Sequence, residues 1–439
     1  MPTYKVEGGN SLRGLVRLGG AKNVSYKLMI AALLGQEESR ILNFSQISDV
    51  NLVQEVINSL GARAYSAGER TLFIDPTQLE KTEVAAEYGS GSRASTMFLA
   101  PLLARFGRAK VPFPGGDKIG KRPIDRHLES LEAMGVRFVV ENNTIEAHTD
   151  GLVGTTYRFA KNTHTGTETA LMAAVLARGQ TILENAAEEP EVDDLISFLN
   201  DMGAHIRRRA NKVIEIEGVE RLGGAIHRIM PDQNEAVSYA VAAIVTKGDI
   251  IVENARQSHL QAFLDKLDEA GAGYEVGEYG IRFYYKGPLR AVDVVTQPHP
   301  GFKTDWQPVW SVLLTQAEGT SEIHEAVYLE RFQYAQALQE MGVPIELYNP
   351  EVQDPEKFYN FDLEHDVPSN HHALRISGPV QLSPTEFSVP DLRAGATVLI
   401  AGLIANGIST IHDEGGHVER GYEVITERLN SMGAKIVRV

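Results

Sequence analysis

Asp194-Leu195-Ile196-Ser197-Phe198-Leu199-Asn200-Asp201-Met202-Gly203-Ala204 is an amphipathic helix that runs into a small-residue break, after which the chain turns extended. Its apolar residues recur at helical spacing and so form one buried face. Gly203 suits the left-handed backbone position that closes a helix. The same ending recurs at Leu60-Gly61-Ala62, Met134-Gly135-Val136, Ala270-Gly271-Ala272, Met341-Gly342-Val343 and Met432-Gly433-Ala434. Successive break glycines stand 74, 68, 68, 71 and 91 residues apart, so the chain reads as one unit used six times.

A second helix, of small apolar residues, precedes most of these endings. It is predicted over Tyr26–Leu34, Thr169–Ala177, Ser238–Val245, Val309–Gln316 and Ala396–Ala405. A glycine turn and a strand follow it, as in Ala177-Arg178-Gly179-Gln180-Thr181-Ile182-Leu183. Helices this apolar predict burial, with the sheets outside. The expected fold class is α/β, with two similar domains, each of three βαβαββ units with buried helices and outer sheets. The strand Tyr4–Val6 lies ahead of the first helix and can pair with the other domain. The expected domains are therefore 22–230, and 1–21 joined to 231–439, with crossings near Gly19–Ala21 and Met230–Asp232. The longest spacing marks an insertion near 348–390, rich in Pro, Asn and Asp and read as surface loop, with His371-His372 solvated.

At 439 residues the chain exceeds one ordinary domain, and 43% hydrophobic with 23% charged residues fits a soluble globular protein. No apolar run reaches the roughly 18 residues of a membrane span. The opening residues lack the charged start and apolar core of a signal peptide, so a cytoplasmic enzyme is expected. Cysteine is absent, which excludes disulfides, thiolate metal sites and a cysteine nucleophile or acid. The histidines show no HExxH or comparable spacing, and no metal or cofactor is expected. GxSxG and strand-linked GxGxxG motifs are also lacking. A net charge of −16 argues against nucleic acid or an anionic membrane as partner. Anionic substrates would need local Lys and Arg in glycine-rich loops.

Four places break the repeat and qualify. Leu18-Gly19-Gly20-Ala21-Lys22-Asn23 opens a helix, as a phosphate site or as an ordinary helix start. Pro112-Phe113-Pro114-Gly115-Gly116-Asp117-Lys118-Ile119-Gly120-Lys121-Arg122-Pro123 carries an acid among cations, as a lid over an anion or as an exposed turn. Asp305, in Phe302-Lys303-Thr304-Asp305-Trp306, is a proton acceptor or a helix cap. Arg331, Arg393 and Arg420 stand at comparable places in successive repeats, where their planar forks suit carboxylate and phosphate, or surface ion pairs.

Together these segments resemble the UDP-N-acetylglucosamine enolpyruvyl transferases of the EPSP synthase family, along nearly the whole chain outside the insertion. The matching pieces include Gly20-Ala21-Lys22-Asn23, Arg93-Ala94-Ser95, Pro114-Gly115-Gly116-Asp117, Gly120-Lys121-Arg122-Pro123-Ile124-Asp125, Glu189-Pro190-Glu191, Asp391-Leu392-Arg393-Ala394 and Arg420-Gly421-Tyr422. The 5-enolpyruvylshikimate-3-phosphate synthases fit less well, because their PGSKS-type and GNAGT-type segments are replaced here. The resemblance implies an inside-out α/β barrel in each domain. It also implies transfer of the enolpyruvyl group of phosphoenolpyruvate to the 3-hydroxyl of UDP-N-acetylglucosamine, the first committed step of peptidoglycan precursor synthesis. By position it assigns Lys22, Arg122 and Arg420 to the phosphate, and Arg331 and Arg393 to the carboxylate, of phosphoenolpyruvate. Asn23 and Asp305 address the acceptor sugar, with Asp305 as base and Asp117 as the acid that protonates C3. Arg93, Arg122, Pro123, Ile124, Asp125, Arg126, Lys161, Thr163, His164 and Val327 fall where the family binds the uridine diphosphate sugar.

Three departures stand out. Asp117 replaces the cysteine common in the family, so the epoxide fosfomycin should find no thiol there. The Ser-Val-Gly-Ala-Thr-like segment reads Thr163-His164-Thr165-Gly166-Thr167-Glu168, and Pro-Asp-Arg-Ile-Glu-Ala-Gly reads Pro231-Asp232-Gln233-Asn234-Glu235-Ala236-Val237. Both bear on the acceptor. A different uridine nucleotide as acceptor, or a catalytically silent nucleotide-sugar-binding paralogue, are the rival readings.

Overall fold

The computed structural model describes residues 2–68, 70–89, 93–115, 124–209 and 212–439. Described residues 19–115 and 124–230 gather into one compact unit, and residues 2–18 with 231–439 into another. Each has its own apolar core.

The first unit holds three repeats. The opening repeat runs helix Lys22–Ala32, strand Ser39–Leu42, helix Ser48–Ser59 and the hairpin Arg63–Ser66 with Thr71–Asp75. Thr71–Asp75 lies antiparallel between Arg63–Ser66 and Ser39–Leu42. The same order recurs through helix Leu99–Phe106 to strand Thr144–His148, and through helix His164–Ala174 to strand Val213–Glu217. Closure comes from Ile226–Arg228, the last strand of the unit, which runs parallel beside Ser39–Leu42.

The second unit repeats the plan from helices Gln233–Val245, Gln307–Leu314 and Leu392–Gly402. Here the N-terminus completes two sheets. Arg13–Arg17 runs parallel beside Asp249–Glu253. Thr3–Glu7 lies antiparallel between Ile408–His412 and Lys435–Arg438, where the other repeats place their own final strand.

Burial explains the layering. Every residue of Gln233–Val245, Gln307–Leu314 and Leu392–Gly402 is buried, so these helices present apolar surface on all sides and the sheets cover them. Small residues such as Ala236, Ala240 and Ala243 let them approach closely. The six break glycines have φ between 77° and 107°, the left-handed region that a side chain would strain.

The insertion departs from the sequence reading. Ala373–Gly378 is no loop but a central strand between Ala317–His324 and Ile345–Tyr348. Glu386–Ser388 runs parallel to Ile408–His412. The stretch between them and Tyr348 packs Tyr359 and Phe361 on Ala326 and Leu329. His372 is 4% exposed rather than solvated, with Nε2 2.9 Å from Asp366 Oδ2 and its ring beside Tyr359 and Phe361. Pro, Asn and Asp flank short strands here, and their turn chemistry hid the strands between them.

His227, on the closing strand of the first unit, ties strand to helix. Its Nδ1 is 2.9 Å from Asp201 and its Nε2 3.4 Å from Asp194, both on helix Pro190–Asp201. Burial pushes the imidazole down, but the carboxylates of Asp194 and Asp201 outweigh it and its pKa is raised. Stability from this contact is therefore full below the unfolded value of about 6.5 and is lost as pH rises through the folded value. Denaturant midpoints of wild type and His227→Gln should converge as pH rises through neutrality, and a constant gap would contradict this.

Candidate active site

In the second unit the chain brings Asp305, Arg331 and Arg393 together. Asp305 precedes helix Gln307–Leu314, whose N-cap is Trp306 and shows no side-chain cap hydrogen bond, so Asp305 is not spent on capping. One Asp305 oxygen pairs with Arg331 Nη2, and the other accepts from Arg393 Nη2 at 2.9 Å. Arg331 and Arg393 are 5% and 7% exposed, so both guanidiniums are buried where charge interactions are strong. Asp391 caps helix Leu392–Gly402 by accepting from the Arg393 and Ala394 N–H groups at 2.8 and 3.1 Å, which fixes the backbone that carries Arg393. Arg393 Nη1 donates to the Tyr422 hydroxyl at 3.2 Å, and Ser238 Oγ donates to that hydroxyl at 3.0 Å.

Burial pushes the Asp305 carboxyl up, but Arg393 and then Arg331 outweigh it and hold it well below the usual carboxylate range. Asn234, one of the departures at the second crossing, completes this wall. Its Oδ1 accepts from Trp306 Nε1 at 3.0 Å, and its Nδ2 lies 3.5 Å from Asp305 Oδ2. Val327 follows the strand Ala317–His324, and its N–H donates to Glu325 Oε1 at 2.8 Å. The other Glu325 oxygen accepts from Thr304 Oγ1 at 2.8 Å, next to Asp305. Arg420 lies half-buried on the short helix His417–Gly421, two residues before Tyr422.

In the first unit Lys22 opens the buried helix Lys22–Ala32 and pairs with Asp49 at 3.1 Å, with Asn23 beside it. Arg93 begins the 3-10 turn Arg93–Phe98. Ile124 is buried at the N-cap of helix Asp125–Glu132, and Asp125 is exposed. Arg126 Nη1 donates to the Asn162 carbonyl at 3.4 Å, which brings it to the Lys161–His164 segment. Thr163 caps helix His164–Ala174, its hydroxyl accepting from Gly166 N–H at 3.3 Å. Asp117, Arg122 and Pro123 lie outside the described residues.

Sequence reading missed Tyr422 as a partner of Arg393, Asp49 as the counterion of Lys22, and Lys27 altogether. Lys27 did leave a signal, since it is the one charged residue in the apolar run Tyr26–Leu34. Asp49 and Tyr422 carry none, because their partners are distant in sequence.

The family model for EPSP synthase (3-phosphoshikimate 1-carboxyvinyltransferase) matches residues 6–429. The chain belongs to the EPSP synthase family. It is accordingly an enolpyruvyl transferase. Its relatives in that family include the UDP-N-acetylglucosamine 1-carboxyvinyltransferase of Acidobacterium capsulatum, 39% identical and covering 100% of this chain and 96% of the relative. The enzyme of the same name from Desulforapulum autotrophicum is 37% identical over all of both chains. In three dimensions the chain resembles the enolpyruvyl transferase NikO from Streptomyces tendae, with a TM-score of 0.86 at 24% identity over 100% of this chain and 99% of that one. An EPSP synthase from Acinetobacter baumannii gives a TM-score of 0.75 at 17% identity over all of both chains. Both likenesses bear on the fold alone, the α/β fold described above. No helix among the described residues is long and apolar enough to cross a membrane.

Proposed function

We propose that this enolpyruvyl transferase moves the three-carbon unit of phosphoenolpyruvate to the 3-hydroxyl of UDP-N-acetylglucosamine and releases phosphate, as a cytoplasmic step that commits material to peptidoglycan and so to cell shape and division. The observation that carries the reading is full-length identity of 37–39% with enzymes named for this acceptor. The Asp305–Arg331–Arg393 cluster supports the chemistry.

The acceptor oxygen bonds to C2 of phosphoenolpyruvate as C3 takes a proton, giving a tetrahedral adduct. The C2–O bond to phosphate then breaks, and C3 returns a proton. Two guanidiniums in one buried wall suit the substrate carboxylate, and Lys22, Arg122 and Arg420 suit the phosphate. As folded, Asp305 is a weak base because two arginines stabilise its anion. A substrate carboxylate that engages Arg331 and Arg393 competes for those guanidiniums, and Asp305 is then freer to accept the hydroxyl proton. Asp117 supplies the proton to C3. By resemblance, Asn23, Arg93, Pro123, Ile124, Asp125, Arg126, Lys161, Thr163, His164 and Val327 are assigned to the uridine diphosphate sugar.

Phosphate release with phosphoenolpyruvate and a panel of UDP-sugars and uridine nucleotides tests the acceptor. UDP-N-acetylglucosamine should give the highest kcat/KM. A different preferred nucleotide would replace it, and silence with every acceptor would favour a binding paralogue.

With no cysteine in the chain, fosfomycin should cause no time-dependent loss of activity. Asp117→Cys should acquire such loss, and irreversible inactivation of the wild type would refute the assignment.

A further inference from the structure

Lys27 and Glu168 have no part in the chemistry above, yet they form a charge pair in the core of the first unit. Lys27 lies on helix Lys22–Ala32 and Glu168 on helix His164–Ala174, with exposures of 2% and 0%. Lys27 Nζ is 2.6 Å from Glu168 Oε2. His164 completes the group, with Nε2 3.2 Å from Glu168 Oε1 and 3.2 Å from Lys27 Nζ. A pair this deep contributes little net stability, because desolvation offsets the attraction. The ring of His164 reaches the surface, its side chain 25% exposed.

Both neighbours engage the same ring nitrogen. An ammonium donates to Nε2 only when Nε2 is bare, which places the proton of the neutral ring on Nδ1. A carboxylate draws a proton onto Nε2, and with Lys27 opposing the neutral form protonated there, that state is the imidazolium. In both states Nδ1 carries hydrogen and is a donor. The surrounding charges are Glu168 on the same helix, Lys27, and Glu189 at the start of helix Pro190–Asp201. Lys161 precedes the segment in the chain, and Arg126 reaches it through the Asn162 carbonyl. His127 stays neutral, pushed down to about 3 by burial, and its ring bonds Thr169 and Thr165 at 3.0 Å each, fixing the first turn that His164 opens.

We propose that Lys27 and Glu168 are positioning residues that fix His164 as the donor and cation gripping the diphosphate of the acceptor nucleotide. The inference rests on the acceptor reading above. Burial pushes the His164 ring down, but Glu168 outweighs both burial and Lys27, and its pKa ends above the ordinary histidine value. Acceptor affinity therefore falls as pH rises through the ring's titration.

Acceptor KM from phosphate release at saturating phosphoenolpyruvate, between about pH 6 and 9, tests this in the full chain. KM should climb by up to about tenfold per pH unit through the titration, the slope of a single proton. His164→Gln should flatten the climb. Glu168→Gln should move it to lower pH, with the change in KM rather than kcat. If Glu168→Gln folds poorly, the paired Lys27→Met, Glu168→Leu variant must move the climb in the same direction by a smaller amount, because it also removes the opposing ammonium. Histidine NMR of the wild type needs no folding of variants beyond His164→Gln for assignment, and uridine diphosphate should raise the His164 midpoint. An unchanged pH profile in His164→Gln, or a His164 midpoint indifferent to uridine diphosphate, overturns the proposal. If no acceptor releases phosphate, the acceptor reading falls, and the NMR titration still decides the role of His164.

Discussion

Arg393→Ala is expected to lower kcat/KM for phosphoenolpyruvate by about thirtyfold to several thousandfold. Truncating one partner of a buried charge pair costs about 2–5 kcal/mol, and each 1.36 kcal/mol is tenfold. The loss has two sources. The substrate carboxylate loses half of its paired guanidinium site, and Asp305 keeps one of its two guanidinium partners. Arg393→Lys should recover only a part, because an ammonium cannot reach both Asp305 and the Tyr422 hydroxyl as the planar fork does. The Asp305 carboxyl should also titrate at higher pH in Arg393→Ala, visible as an upward shift in the acidic limb of kcat/KM. A variant within about threefold of wild type would remove Arg393 from the substrate site.

Asp117→Ala carries the second large effect. A general acid contributes about 10²–10⁴-fold, and kcat should fall by that factor while UDP-N-acetylglucosamine still binds. Asp117→Asn keeps the shape without the proton and should fall equally far. Binding followed by calorimetry separates lost chemistry from lost structure. A kcat within about tenfold of wild type in both variants would move the acid elsewhere.

Repetition was legible because each helix ends on a left-handed glycine, a local requirement that leaves its mark at Gly61, Gly135, Gly203, Gly271, Gly342 and Gly433. The buried helices were legible in their apolar middles but not at their starts. Lys22–Ala32, His164–Ala174, Gln233–Val245, Gln307–Leu314 and Leu392–Gly402 begin two to five residues before the hydrophobic pattern does. Those missing turns hold Lys22, Asn23, His164, Gln233 and Arg393, polar residues that hydropathy skips. Lys22, His164 and Arg393 are tolerated there because Asp49, Glu168 and Asp305 pair with them, while Asp391 caps the Arg393 backbone. The first turns are thus both where the helix pattern fails and where Lys22, Asn23, His164 and Arg393 of the candidate site lie.

Pairings between distant residues were less readable. Thr3–Glu7 fills a sheet with Ile408–His412 and Lys435–Arg438, and only its position ahead of the first helix hinted at this. Asp305 could be a cap or a base on sequence grounds, and the arginines could be surface pairs. Only the fold brings Asp305, Arg331 and Arg393 to one point.

Protonation at C3 followed by elimination is the central chemical claim, and the product made in heavy water tests it most directly. Phosphoenolpyruvate and UDP-N-acetylglucosamine should yield one phosphate per 3-O-enolpyruvyl product, with deuterium in its vinyl group by proton NMR. Product without deuterium, or no product at the 3-hydroxyl despite phosphate release, would contradict the account.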